Sequence, residues 1–168
     1  LTGTYARDKD AVVASMALCE AAAYYKTKSM TLWDAMIAMY ERYGYYQDGI
    51  TAVTLKGIEG LEKIGTIMNT LRADAPKEIG AYQVTAVRDY KKDTITDVAT
   101  GEVRPTGLPS SNVLYYELTD DAWVCVRPSG TEPKVKFYFG IKGTSIADAD
   151  AKAEAMKEAV NALVEKML

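Results

Sequence analysis

The chain has 168 residues, a formal net charge of −3, 48% hydrophobic and 26% charged residues, and a mean hydropathy of −0.14. That describes a globular chain, long enough for one domain or for one domain and a piece of another. It has no histidine, which excludes Ser-His and Cys-His nucleophilic catalysis and the common zinc sites within it. A pI of 5.1 argues against a nucleic-acid groove. The longest apolar run, residues 11 to 25, is interrupted by Ser15 and Glu20 and reads as no membrane span. Cys19 and Cys125 lie far apart in apolar runs and read as buried, reduced thiols of a cytoplasmic protein rather than a disulfide framework.

Residues 1 to 10 read as a loop or strand end leading into a helix, with Asp8 and Asp10 suited to its N-terminus. Residues 11 to 26 are helical and apolar nearly all round, with Glu20 as the one charge up to Tyr25, which implies burial on most sides. A second helix follows. Thr31 and Asp34 form a capping box, Leu32, Trp33, Met36, Ile37, Tyr40 and Tyr43 supply its apolar face, and Gly44 closes it. These two helices have no sheet of their own, so the isolated chain should expose apolar surface there.

A boundary falls near residues 44 to 49. Beyond it, Ile50, Ala52 and Thr54, or the other face with Thr51, Val53 and Leu55, alternate as a strand. Ile58, Leu61, Ile64, Ile67 or Met68, and Leu71 recur at helical spacing, and Pro76 ends that helix. Residues 82 to 89 alternate as a strand. Residues 91 to 111 are rich in Asp, Thr, Gly, Pro and Ser and read as an irregular excursion. Strands follow over 113 to 118 and 122 to 126, and again from Val135, where Val135, Phe137 and Phe139 alternate with polar residues. Ser145 and Asp148 cap a final helix. Its Ile146, Ala149, Ala153, Met156, Val160, Leu163 and Met167 form a stripe suited to packing on a sheet. The predicted class is α+β: an antiparallel sheet of four to five strands covered by two helices over residues 46–168, preceded by a helical segment over 1–45.

Between the last two strands lies Arg127-Pro128-Ser129-Gly130-Thr131-Glu132-Pro133-Lys134. Its chemistry suits an anion. Arg127 offers a planar fork of donors that matches two phosphate oxygens. Ser129 and Thr131 add hydroxyls, and the amides around Gly130 can form an anion-binding nest, with Gly130 permitting a conformation closed to other residues. From Arg127 to Lys142 there are four basic residues against Glu132, in a chain that is acidic overall. An ordinary hairpin loop rich in turn formers is the competing reading on spacing alone.

This octapeptide resembles the phosphate-binding loop in the last domain of the phosphohexomutases, the phosphoglucomutase/phosphomannomutase superfamily. The stretch from Gly3-Thr4-Tyr5-Ala6-Arg7-Asp8-Lys9-Asp10 to Val13 is similar to the segment that follows the family's sugar-recognition loop, at the end of the third domain. With Leu1 in place of a methionine, the resemblance implies a C-terminal piece of a longer chain. Residues 1–45 would be the helical tail of a truncated α/β domain, and 46–168 a TATA-binding-protein-like last domain.

The resemblance further implies an enzyme that interconverts hexose 1-phosphate and hexose 6-phosphate, acting on glucose, mannose or pentose phosphates. This part would grip the phosphate that is not reacting, through Arg127, Ser129, Gly130 and Thr131. Lys136 is a weaker candidate, since the family often has arginine near its position. Lys9 is implied as a candidate acid or base in the cleft. The serine nucleophile and the Mg2+ loop would lie outside this piece, which alone should be inactive without the other domains of its chain. Two readings of other classes stand beside this one: a free-standing phosphate-binding module, and a structural domain that dimerises through its exposed helices.

Overall fold

The computed structural model describes residues 3, 4, 8–55 and 57–168. The chain divides into two compact units, Leu1–Gly44 and Tyr45–Leu168.

The first unit is a helical pair. Helix α1 spans Ala11–Thr27 and α2 spans Leu32–Tyr43. Asp10 caps α1, its Oδ1 accepting from the Val13 N–H at 3.0 Å. The capping box of α2 forms as expected: Asp34 N–H donates to Thr31 Oγ1 at 3.1 Å, and Thr31 N–H to Asp34 Oδ2 at 2.8 Å. Gly44 ends α2 at φ 111°, a conformation that favours glycine. The expected burial of α1 is not observed. No residue of either helix is buried, and Val12, Met16, Leu18, Trp33 and Tyr43 are all more than half exposed. Two helices side by side cannot cover a helix that is apolar on every side. Cys19 is accordingly exposed rather than buried.

The second unit is an α+β layer built on one antiparallel sheet. The strands are β1 (Tyr45–Thr54), β2 (Glu78–Ile79), β3 (Tyr82–Asp89), β4 (Thr94–Asp97), β5 (Val103–Arg104), β6 (Leu114–Leu118), β7 (Trp123–Pro128) and β8 (Lys134–Gly143). Their order is β1-β8-β7-β6-β3-β4-β5, with β2 on β3. Five are long, and β2, β4 and β5 are short additions to the four to five strands expected. Tyr45–Gly49, read as a boundary, is the first half of β1, which pairs without a break from Tyr45↔Gly143 to Thr54↔Lys134.

Alternation decides the layers. Val124, Val126, Val135, Phe137, Phe139 and Ile141 point to one face and are essentially buried. Helices α3 (Gly57–Ala73) and α4 (Ile146–Glu165) cover that face. α3 contributes Ile64, Ile67, Met68 and Leu71, whereas Ile58 and Leu61, expected on its inner face, are exposed. The first turn of α3 is aimed instead by Gly60, which lies against the Leu55 backbone where a Cβ has no room. α4, capped by Ser145, buries Ala149, Met156, Val160 and Val164. Each fully buried Val, Leu or Phe contributes about 1.5–3 kcal/mol.

One buried charge pair ties α3 to the sheet. Arg72 Nε donates to Asp89 Oδ2 at 2.9 Å and Nη2 to Asn112 Oδ1 at 2.8 Å, while Tyr116 Oη donates to the Leu71 carbonyl at 3.1 Å. Burial pushes the Tyr116 hydroxyl far above its usual range. The stretch read as irregular, 91 to 111, contains the β4–β5 hairpin. Its Asp and Thr residues are the turn formers: Asp97 Oδ1 accepts the Thr100 N–H at 2.8 Å, and Asp93 Oδ1 accepts the Thr106 N–H at 3.0 Å. The β-branched residues Thr94, Ile95, Thr96 and Val103 between them make the short strands.

Candidate phosphate-binding loop

The β7–β8 hairpin presents the loop. Val126 and Val135 are fully buried on the helix side and pin the ends of the two strands that flank the loop. The pairing runs from Trp123↔Gly140 to Arg127↔Lys136 and Pro128↔Val135. Residues 129 to 133 then reverse the chain. Ser129 N–H donates to the Lys134 carbonyl at 2.7 Å, and Lys134 N–H to the Glu132 carbonyl at 2.7 Å. Leu55 N–H donates to the Pro133 carbonyl at 2.9 Å, which ties the loop to the end of β1.

Inside the loop, Ser129 Oγ accepts the N–H groups of Thr131 at 3.3 Å and Glu132 at 3.2 Å. The Gly130 N–H meets no partner among the described residues and is a free donor. Gly130 itself corrects an expectation. Its φ is not in the left-handed region, and a Cβ there would meet nothing within 4 Å. Its freedom is therefore not required by the turn. What the glycine leaves is open space over a free amide.

Arg127 and Lys136 are directly opposite each other on the sheet face that no helix of this unit covers. Like charges in that relation repel. No acid compensates them: among the described residues the ion pairs involve Lys9, Arg72, Arg88, Lys142, Lys152 and Lys157, and none involves Arg127, Lys134 or Lys136. The field of Arg127 reaches Cys125, whose thiol is pushed up by burial and drawn back by the guanidinium charge. Lys134 stands opposite Thr54 on the same face as Lys136. Its two-residue spacing from Lys136 already places both lysines on one face of the strand in the sequence.

Farther along this open face, Tyr115 stacks on Trp123 at 5.5 Å between centroids, Arg88 lies 5.4 Å over Tyr115, and Arg88 Nε donates to Glu117 Oε1 at 2.6 Å. Trp123 lies across Gly140, where any side chain would collide with the indole. Here the charges are paired. At the loop end they are not.

Lys9 belongs to the other unit. Its side chain is 93% exposed, with Nζ 3.4 Å from Asp8 Oδ1. Tyr5, Ala6 and Arg7 of the N-terminal stretch lie outside the described residues. No cluster of three or more Cys, Asp or Glu among the described residues could hold a metal ion. No helix among them is long and apolar enough to cross a membrane.

The family described as "Phosphoglucomutase/phosphomannomutase, C-terminal domain" matches residues 68–162, a segment that contains β7, the loop and β8. The chain belongs to this family. It corresponds to the C-terminal domain, and its α+β fold is the kind that domain has. Similar proteins include a phosphoglucomutase of Staphylococcus aureus (strain bovine RF122 / ET3-1), 35% identical over 156 residues, and one of strain USA300, 34% identical over the same length. Each match covers 93% of this chain and 28% of the relative. The chain thus spans little more than a quarter of the length of these phosphoglucomutases.

Proposed function

We propose that this chain is the phosphate-gripping part of a phosphohexomutase that interconverts hexose 1-phosphate and hexose 6-phosphate. The observation that carries the reading is the uncompensated Arg127–Lys136 pair at the mouth of the 129–133 loop. Among the described residues of this acidic chain no carboxylate pairs with these two opposed cations, and a phosphate dianion relieves their repulsion. Arg127 supplies the bidentate fork, Lys136 and Lys134 supply point charge, and the Gly130 amide with the Ser129 and Thr131 hydroxyls supplies directed donors. Positioning and electrostatics dominate phosphoryl-transfer chemistry, so a grip remote from the transferred group still raises the rate.

In this reading residues 1–45 are the tail of the preceding domain, and Lys9 serves in the cleft as acid or base when the rest of the enzyme surrounds it. Its side chain is exposed in this chain, so the role depends on that enclosure. The described residues do not fit a Mg2+ site. The nucleophile lies in the remainder of the enzyme, and this chain alone is inactive. The exposed free thiol of Cys19 suits a reducing, cytoplasmic setting.

The test is an amide NMR titration of the chain with inorganic phosphate and with glucose 1-phosphate. Shifts centred on residues 127 to 136, abolished by Arg127→Gln, are expected for both ligands. Shifts elsewhere, or none in this loop at saturating phosphate, would remove it from the site.

A further inference from the structure

Strand β1 is an edge of the sheet, bonded to β8 on one side. The direction of its backbone groups follows from one bond. Leu55 N–H donates to the Pro133 carbonyl, and these residues continue the β1–β8 register. In an antiparallel ladder the hydrogen-bonding residues alternate. The odd positions from Tyr45 to Val53 therefore turn their N–H and C=O toward β8. The even positions, Tyr46, Asp48, Ile50, Ala52 and Thr54, turn theirs away from β8, to the side where no strand among the described residues pairs with β1. The same five residues are exposed.

Long edges are normally guarded by proline, bulges, lysines or a covering element. β1 has ten residues, no proline, no bulge against β8, and Asp48 as its lone charge. Such an edge accepts another strand. The sequence of the outward positions says which strand fits. If a second copy pairs antiparallel about a two-fold axis at Ile50, Tyr46 lies opposite Thr54, Ile50 opposite itself, and Asp48 opposite the small, uncharged Ala52. This register uses all five outward residues of each copy. An axis at Asp48 would set two carboxylates face to face, and one at Ala52 would leave Tyr46 and Asp48 with no strand residue opposite. The contact is isologous and closes as a dimer.

We propose that β1 pairs with β1 of a second copy of this chain, antiparallel and centred on Ile50, so that the two sheets run on as one.

The experiment is sedimentation equilibrium over a concentration series on the wild-type chain, Ile50→Lys and Ile50→Glu, with circular dichroism to confirm that each variant keeps its fold. Ile50 is exposed on β1, so either charge is tolerated in a monomer. The wild type should reach twice its 18.4 kDa mass. Each variant alone should stay at the single-chain mass, because like charges meet at the axis. An equimolar mixture of the two variants should recover the doubled mass, because opposite charges then meet there. A wild type that is monomeric throughout overturns the proposal. So does a dimer that Ile50→Lys leaves intact, the result expected if the exposed faces of α1 and α2 associate instead, and so does a mixture that remains monomeric.

Discussion

Replacing Arg127 by glutamine should move stability and ligand binding in opposite directions. The substitution keeps most of the aliphatic stem, so little packing is lost. It removes a charge held directly opposite Lys136. Two unit charges at a separation on the order of 7 Å would repel by roughly 0.6 kcal/mol in water, and about half of that remains at 0.1 M salt. The variant should therefore be as stable as the wild type or more stable by about 0.3 kcal/mol, and the gain should vanish in 1 M salt, where screening is close to complete. Binding should suffer. A hydrogen bond to a charged group is worth about 1.5–3 kcal/mol, which weakens phosphate affinity roughly 10- to 150-fold. Urea denaturation at two salt concentrations measures the first effect, and calorimetric titration with phosphate the second. Destabilisation beyond about 1 kcal/mol would show Arg127 to be a structural residue, since surface changes without a structural role stay within about 0.5 kcal/mol. Unchanged phosphate affinity would sink the assignment of the loop.

Other consequences can be measured in the same way. Gly130→Ala should leave the melting temperature unchanged or slightly raised, because its Cβ meets nothing and its φ is ordinary; a fall in phosphate affinity without a fall in stability would show that a ligand approaches this amide closely. Gly140→Ala should cost about 1–3 kcal/mol in urea denaturation, because the new methyl displaces the Trp123 indole. Asp89→Asn should cost about 3–5 kcal/mol by stranding the buried Arg72 charge, and adding Arg72→Met should recover much of it. Asp34, Asp93, Asp97 and Asp148 are all held below the usual carboxylate range, chiefly by hydrogen bonds from Thr31, Thr106, the Thr100 amide and Lys152 respectively. A carboxylate with a depressed folded pKa contributes its stability above the unfolded value and loses it as pH falls through the folded one. Urea midpoints should therefore decline as the pH drops below about 4, and Asp93→Asn should flatten that decline. Within the phosphohexomutase proposed above, Lys9→Met should lower kcat more than it raises KM; a pure KM effect would retire the proposed acid or base role.

Local chemistry was enough to foresee the local structure. Thr31 with Asp34, Ser145 with Asp148, and Asp10 cap their helices because a side-chain oxygen two or three residues before a bare amide needs no distant partner. The alternation of Val135, Phe137 and Phe139 with Lys134, Lys136 and Tyr138 likewise names two faces of a strand from the pleat alone. The eight residues of the loop carried the family by their order. Tertiary structure decided what depends on neighbours remote in sequence. That Arg127 stands opposite Lys136 follows from the pairing of β7 with β8, and which face of β8 is covered and that no acid among the described residues pairs with either cation follow from the packing of the whole unit. Gly60, by lying against Leu55, turned Ile58 and Leu61 out of the core although their spacing matched Ile64 and Leu71. The β4–β5 hairpin stayed hidden because its strands are two and four residues long, below the length at which alternation can be read, and the edge left open by β1 became visible only once the order of the whole sheet was known.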